Sequence, residues 1–239
     1  MITGANTGLG QAIAIALAEA GAEIVAVGRT EPTETRTAVL ALKRRFLAVP
    51  ADLGNTAAIP TVVEAAVAEF GAIDILVNNA GIIRRSEAID FTEADWDAVM
   101  NVNLKSTFFL TQAVGRRMLA ARRGKIINIA SMLSFQGGVR VASYTASKSG
   151  IAGLTRMLAN EWADKGVNVN AIAPGYFATN NTEALRSDEG RNRDILARIP
   201  AGRWGQPAEL GGAAVFLAAP ASDYVHGAII PVDGGWLAR

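Results

Sequence analysis

Residues 1 to 28 read MITGANTGLGQAIAIALAEAGAEIVAVG. A very short apolar start runs into a glycine-rich turn, then an alanine-rich helix, then the strand-type run EIVAV. Gly4, Gly8 and Gly10 stand four and two residues apart. That spacing serves a tight turn, close approach of backbone to a pyrophosphate, and close packing of the helix. The N-terminus of the following helix offers free N–H groups and the positive end of its dipole. The unit therefore predicts a dinucleotide site in an α/β sheet. Only Met1 and Ile2 stand before the turn, although the first strand of such a sheet is central and is expected to be longer. Either the strand is stubby or the true start lies upstream.

Outward from this unit the pattern repeats. Gly28, Arg29 and Thr30 follow EIVAV. An acid at this strand end favours ribose hydroxyls and NAD, whereas an arginine pairs with a 2′-phosphate and favours NADP. No acid stands at position 28, so Arg29 leans the chemistry toward NADP, with Glu31 still in reach of a ribose hydroxyl. A helix over 34–45 leads to the strand FLAVP and then to Asp52 and Leu53, where Asp52 is placed to receive an adenine amino group. A helix over 56–70 carries Pro60 in its first turn, where proline is tolerated. IDILVNNAG reads as a buried strand ending in Asn78, Asn79, Ala80 and Gly81, small and amide residues against which a ribose can lie. A long helix starts near Thr92 and continues through Met118. Asn103 in its middle has poor helix propensity, which predicts a kink or a held water. VNVNAIAPG is a further strand, broken by Pro174 and Gly175. Residues 180–206 are polar, charged and irregular, as a substrate cover over the sheet edge would be. A helix over 207–219 and the strand AIIPVDGGW end the chain. Alternating strands and helices predict an α/β fold, a single Rossmann-type doubly wound parallel sheet of about seven strands with helices on both faces, over one domain, 1–239.

Between KIINIA and the next helix lies SMLSFQGGVRVASYTASK, residues 131–148. Tyr144 and Lys148 are four apart on a helix, so their side chains share a face. A phenol beside an ammonium is an acid/base device, because the positive charge favours phenolate. Ser131 sits where the strand ends, the usual place for a ligand contact in an open sheet.

Composition bounds the remaining options. Net charge is +1 with both signs scattered, so nothing points to nucleic acid or an anionic membrane. The absence of cysteine excludes disulfides and thiolate catalysis, and His226 as the one histidine excludes a His-clustered metal site. No apolar run spans a bilayer and no basic start marks a secretory signal, consistent with a cytoplasmic protein.

Taken together, these motifs resemble the short-chain dehydrogenase/reductase family over essentially the full chain. The matching residues are Thr3-Gly4-Ala5-Asn6-Thr7-Gly8-Leu9-Gly10, Asn78-Asn79-Ala80-Gly81, Asn103, Ser131, Tyr144 with Lys148, and Pro174-Gly175 with Thr179. The resemblance implies a nicotinamide cofactor and often a homotetramer. It implies Tyr144 as acid/base, Lys148 lowering its pKa and holding the nicotinamide ribose, Ser131 orienting the substrate oxygen, and Asn103 holding a water in the proton relay. It also implies Thr179 and the backbone after Pro174 on the carboxamide. The segments SMLSFQGG, APGYFATNNT, RIPAGRWG and VDGGWLAR are similar to the sugar-acid branch of the family, which commonly uses NAD. The cofactor thus stays open between NADP(H) and NAD(H). A sugar acid needs a cation for its carboxylate; Arg140 and Arg203 are candidates, with Asn180 and Asn181 for hydroxyls. A reductase of acyl-carrier-protein thioesters and a cofactor-binding redox sensor without turnover are the competing readings.

Overall fold

The computed structural model describes residues 1–239. Seven strands form one parallel sheet: β1 (Ile2–Thr3), β2 (Ile24–Gly28), β3 (Phe46–Pro50), β4 (Ile75–Asn78), β5 (Gly124–Ile129), β6 (Val167–Pro174) and β7 (Ile229–Val232). Their order is β3-β2-β1-β4-β5-β6-β7. Every pairing is parallel, as crossovers through helices require. The helices are α1 (Gly8–Glu19), α2 (Thr33–Ala41), α3 (Ile59–Phe70), α4 (Glu93–Met100), α5 (Ser106–Ala121), α6 (Ala142–Trp162), α7 (Glu183–Ser187), α8 (Glu189–Arg198) and α9 (Gly211–Ala218).

Two apolar cores lie on the two faces of the sheet. Val25 and Val27 of β2 pack with residues of α3, α5 and α6. Ile24 and Ala26 of the same strand pack with residues of α1, α2 and α9. This alternation is the period-two geometry of a strand buried on both sides. It is why β2 reads as a continuous apolar run.

The central strand is as short as the sequence implied: β1 pairs with β2 through Ile2 and Thr3, and with β4 through Ile2. Side chains compensate for the missing ladder. The Thr3 hydroxyl accepts from the N–H groups of Asn79 at 3.0 Å and Ala80 at 2.9 Å. The Asn79 amide donates to the carbonyls of Thr3 at 2.9 Å and Gly4 at 3.0 Å. Strand order reverses between β1 and β4, so this joint forms the crevice where open α/β sheets take ligands.

The uninterrupted helix expected from Thr92 is in fact two. A π turn over Asn101–Lys105 separates α4 from α5, and buried Asn103 lies in it. Residues 180–206 are also more ordered than their apolar spacing implied, since they contain α7 and α8.

Thr3→Val keeps the shape of the side chain but orphans two backbone N–H groups. An unsatisfied buried donor costs about 1–3 kcal/mol. The variant should lose about 2 kcal/mol or more in urea unfolding; an unchanged midpoint would mean the joint does not hold β1.

Candidate active site

A cleft of about 540 Å³ opens at the carboxyl edge of the sheet. It runs from Arg29, Thr30 and Asp52 past the glycine turn to Tyr144, Lys148 and Thr179. Gly4 and Gly8 have φ of +66° and +59°, the left-handed region that favours glycine. A Cβ on Gly10 would stand 2.2 Å from the Gly4 carbonyl oxygen and 2.3 Å from the Asn79 amide nitrogen, so only glycine lets α1 approach β1. Thr7 precedes α1 without a side-chain cap, which leaves the first N–H groups of the helix available to an anion. These features fit a dinucleotide, with phosphates on the glycine turn. Asn6, Thr7, Leu9, Leu53, Asn79, Ala80 and Gly81 all line the same cleft. Such a cofactor supplies the hydride donor or acceptor.

Pro174 and Gly175 stand apart from the rest. Neither lines the cleft; Gly175 packs against Asp233, whose Cα would lie 2.5 Å from an added Cβ. They set the course of the chain, and Thr179 further along reaches the cleft.

Ser131 leaves β5 and caps a short turn, accepting from the Leu133 N–H at 3.1 Å. The same hydroxyl faces the Tyr144 phenol. Lys148 is buried on α6; its Nζ lies 5.6 Å from the centre of the Tyr144 ring and donates to the Ile129 carbonyl at 2.5 Å. The two groups thus share the cleft, as helical spacing implied. Their electrostatics differ from the expectation. Burial pushes the Tyr144 phenol up, and the opposing influences are Ser131 and then Arg85, not Lys148. Lys148 is itself lowered to about 8 by burial. The phenol is therefore neutral at pH 7, the form that donates a proton to a carbonyl oxygen.

Asn103 is tied to the main chain of the loop after β4. Its side chain accepts from the Ile82 N–H at 2.8 Å, donates to the Ile82 carbonyl at 2.9 Å, and reaches Ser147 at 3.3 Å. It fastens the loop after β4 to the π turn.

Of the four substrate residues, Asn180 and Asn181 line the cleft. Arg140 and Arg203 do not: Arg140 pairs with Glu87 at 2.6 Å, and Arg203 grips Glu209 through two bonds of 2.6 and 2.7 Å. Arg203 is thereby held fork to fork by a carboxylate, whereas Arg140 makes a single exposed contact. Sequence reading passed over Arg85. It lines the cleft, acts on the Tyr144 phenol and has no carboxylate partner, whereas its neighbour Arg84 is tied to Asp95 at 3.1 Å. The signal was present in the run Ile82-Ile83-Arg84-Arg85 directly after the NNAG motif.

A family model described as enoyl-(acyl carrier protein) reductase matches residues 4–237. The chain belongs to the short-chain dehydrogenase/reductases. It is an NAD(P)-dependent oxidoreductase acting on CH–OH groups. The 2-dehydro-3-deoxy-D-gluconate 5-dehydrogenases of Escherichia coli (strain K12) and Dickeya dadantii (strain 3937) are each 62% identical to it over 240 aligned positions, covering 100% of this chain and 95% of theirs. A solved structure from Agrobacterium tumefaciens, provisionally named a 2-deoxy-D-gluconate 3-dehydrogenase and holding NADP, is 58% identical with a TM-score of 0.92, over 100% of this chain and 95% of that one. No helix is long and apolar enough to cross a membrane.

Lys148→Met reads the cost of this buried ammonium to the fold. With the folded pKa lowered to about 8 from 10.5, the unfolded chain binds the extra proton between those values. Stability of the parent therefore rises as pH climbs from about 8 toward 10.5, and below 8 the full penalty is present. The shift corresponds to an upper bound of roughly 3 kcal/mol. Losing the bond to Ile129 returns about 1 kcal/mol of that. The variant should unfold at higher urea than the parent at pH 7, with the gap closing toward pH 10.5, and should lose most turnover. A less stable variant at pH 7 would contradict the burial penalty.

Proposed function

We propose that the protein interconverts a hydroxyl and a keto group on a sugar acid of the 2-dehydro-3-deoxy-D-gluconate or 2-deoxy-D-gluconate type. The observation that carries the reading is Arg85, an unpaired cation in the cleft beside the acid/base phenol. Full-length identity of 62% to proteins named 2-dehydro-3-deoxy-D-gluconate 5-dehydrogenase supports the same class. In this reading Tyr144 exchanges the proton with the substrate oxygen, Ser131 donates a hydrogen bond to that oxygen, and Lys148 holds the nicotinamide ribose. Thr179 and the main chain after Pro174 hold the carboxamide, and Asn180 and Asn181 meet sugar hydroxyls. Residues 1–239 act as one catalytic domain, with 180–206 as its cover.

NADP is the favoured cofactor. Arg29 and Thr30 line the cleft end next to Gly28, where an added Cβ would meet open space, and Glu31 is drawn off by Arg36 at 2.6 Å. A 2′-phosphate beside Arg29 would thus meet a cation without a competing acid. The protein works as a cytoplasmic homotetramer in this reading. Trp96 on α4, Phe109 on α5, Met157 on α6 and Phe216 on α9 are exposed apolar side chains that contacts between subunits would cover.

Nicotinamide absorbance during turnover of 2-dehydro-3-deoxy-D-gluconate, 2-deoxy-D-gluconate, gluconate and an acyl-carrier-protein thioester tests the substrate class. Turnover should be confined to sugar acids and should fall about a thousandfold in Tyr144→Phe. Preferred turnover of the thioester would overturn the reading. Arg29→Ala should raise KM for NADP on the order of tenfold while leaving NAD nearly unchanged, since one charge-assisted pair is lost. Equal effects on both cofactors would remove the phosphate role.

A further inference from the structure

Ser134 does not line the cleft, yet its hydroxyl joins the two elements that carry the acid/base groups. It donates to the Lys148 carbonyl of α6 at 2.7 Å. It accepts from the Ser131 N–H at 3.3 Å. A hydroxyl has one hydrogen and two lone pairs, so a single oxygen serves both bonds at once. Both partners have capacity for it. β5 ends at Ile129, so the Ser131 N–H lies beyond the sheet ladder. The Lys148 carbonyl has a second lone pair beyond its helical bond.

These bonds close a ring on Lys148. Its Nζ donates to the Ile129 carbonyl at 2.5 Å. The main chain then leads from Ile129 through Ala130 to Ser131, and the Ser134 hydroxyl leads back to the Lys148 carbonyl. Lys148 is therefore held by its side chain to the strand and by its main chain to the turn. A helix pinned at one point pivots about it; pinned at two, it neither turns nor slides without breaking a bond. Tyr144 stands one turn earlier on α6, so whatever places Lys148 places the phenol as well.

The other contacts of the two elements pull apart rather than together. The Asn128 amide on β5 donates to Thr155 at 2.9 Å, which ties α6 to the sheet. Trp236 donates to Gln136 at 3.2 Å, which ties the turn to the C-terminal residues. One further bond spans the gap, from Ser149 to the Leu133 carbonyl at 3.2 Å, but Ser149 is exposed and water competes for it. Without the Ser134 hydroxyl, α6 would follow the sheet and the turn would follow Trp236.

We infer that Ser134 is a positioning residue of the oxidoreductase, whose hydroxyl sets how closely the Ser131 turn approaches the Tyr144–Lys148 face of α6. The inference rests on the acid/base reading of Tyr144 and Ser131 and deepens it. A misplacement of about 1 Å among reacting groups costs on the order of a hundredfold in rate. The glycine turn and Asp52, where the rest of the cofactor would lie, belong to other elements and are untouched.

The test compares Ser134→Ala, Ser134→Thr and Ser149→Ala in steady-state turnover of the sugar acid that the parent accepts. Ser134→Ala should lower kcat on the order of ten- to a hundredfold. Its KM for the cofactor and for the sugar acid should stay within about threefold of the parent. Ser134→Thr keeps the hydroxyl and should hold kcat within about threefold of the parent. Ser149→Ala should match the parent. The assignment fails if Ser134→Ala keeps its kcat, if its loss lies in KM, or if Ser134→Thr loses as much. An equal loss in Ser149→Ala would also overturn it, since any contact between turn and helix would then do. A Tyr144→Phe variant that still turns over removes the acid/base reading and this role with it. An inert Tyr144→Phe beside an unimpaired Ser134→Ala removes this role alone.

Discussion

A two-residue strand at the middle of a seven-stranded sheet is held by one amide. The Asn79 side chain bonds the Thr3 and Gly4 carbonyls while Thr3 takes the N–H groups of Asn79 and Ala80. This lattice replaces ladder bonds that β1 is too short to make. It also fixes where the chain turns out of the sheet, because Gly4 begins the glycine turn and Gly10 fits only beneath the same amide. The cleft, the free end of α1 and the exit of β4 are positioned by this joint. A longer β1 would relax the demand on Asn79 without changing what the crevice offers.

Burial, more than proximity, governs the acid/base pair. Tyr144 and Lys148 are both withdrawn from water, and withdrawal pushes a phenol up and an ammonium down. Both shifts favour the neutral forms, so the shared helix face does not by itself produce a phenolate. Ser131 and Arg85 supply the opposing field.

The fold was legible because its signals are local. Glycine spacing, apolar strand runs and the Tyr144–Lys148 interval each lie within a few turns of chain, and the structure keeps all of them. What was not legible is tertiary. Arg140, Arg203 and Arg85 are equivalent as letters; they differ because Glu87 and Glu209 neutralise two of them and nothing neutralises the third. Asn103 announced itself by poor propensity, yet its partner is the main chain of Ile82, far away in sequence. Gly175 also packs on Asp233, a neighbour that its place in the motif did not announce.

Helix α8 and the turn that follows Ser131 are not independent parts. Trp236 packs with Met132, the residue after Ser131, and donates to Gln136 at 3.2 Å on the same loop. The C-terminal Arg239 donates to the Ala197 carbonyl of α8 at 2.5 Å, and Arg198 stacks on Trp236. The last residues of the chain therefore stand between α8 and the loop that presents the Ser131 hydroxyl. A displacement of α8 must repack Trp236 or break its bond to Gln136, and either change reaches the turn that Ser131 caps. Close packing makes such a junction move in discrete steps, since a side chain wedged in an apolar cluster has few alternative rotamers.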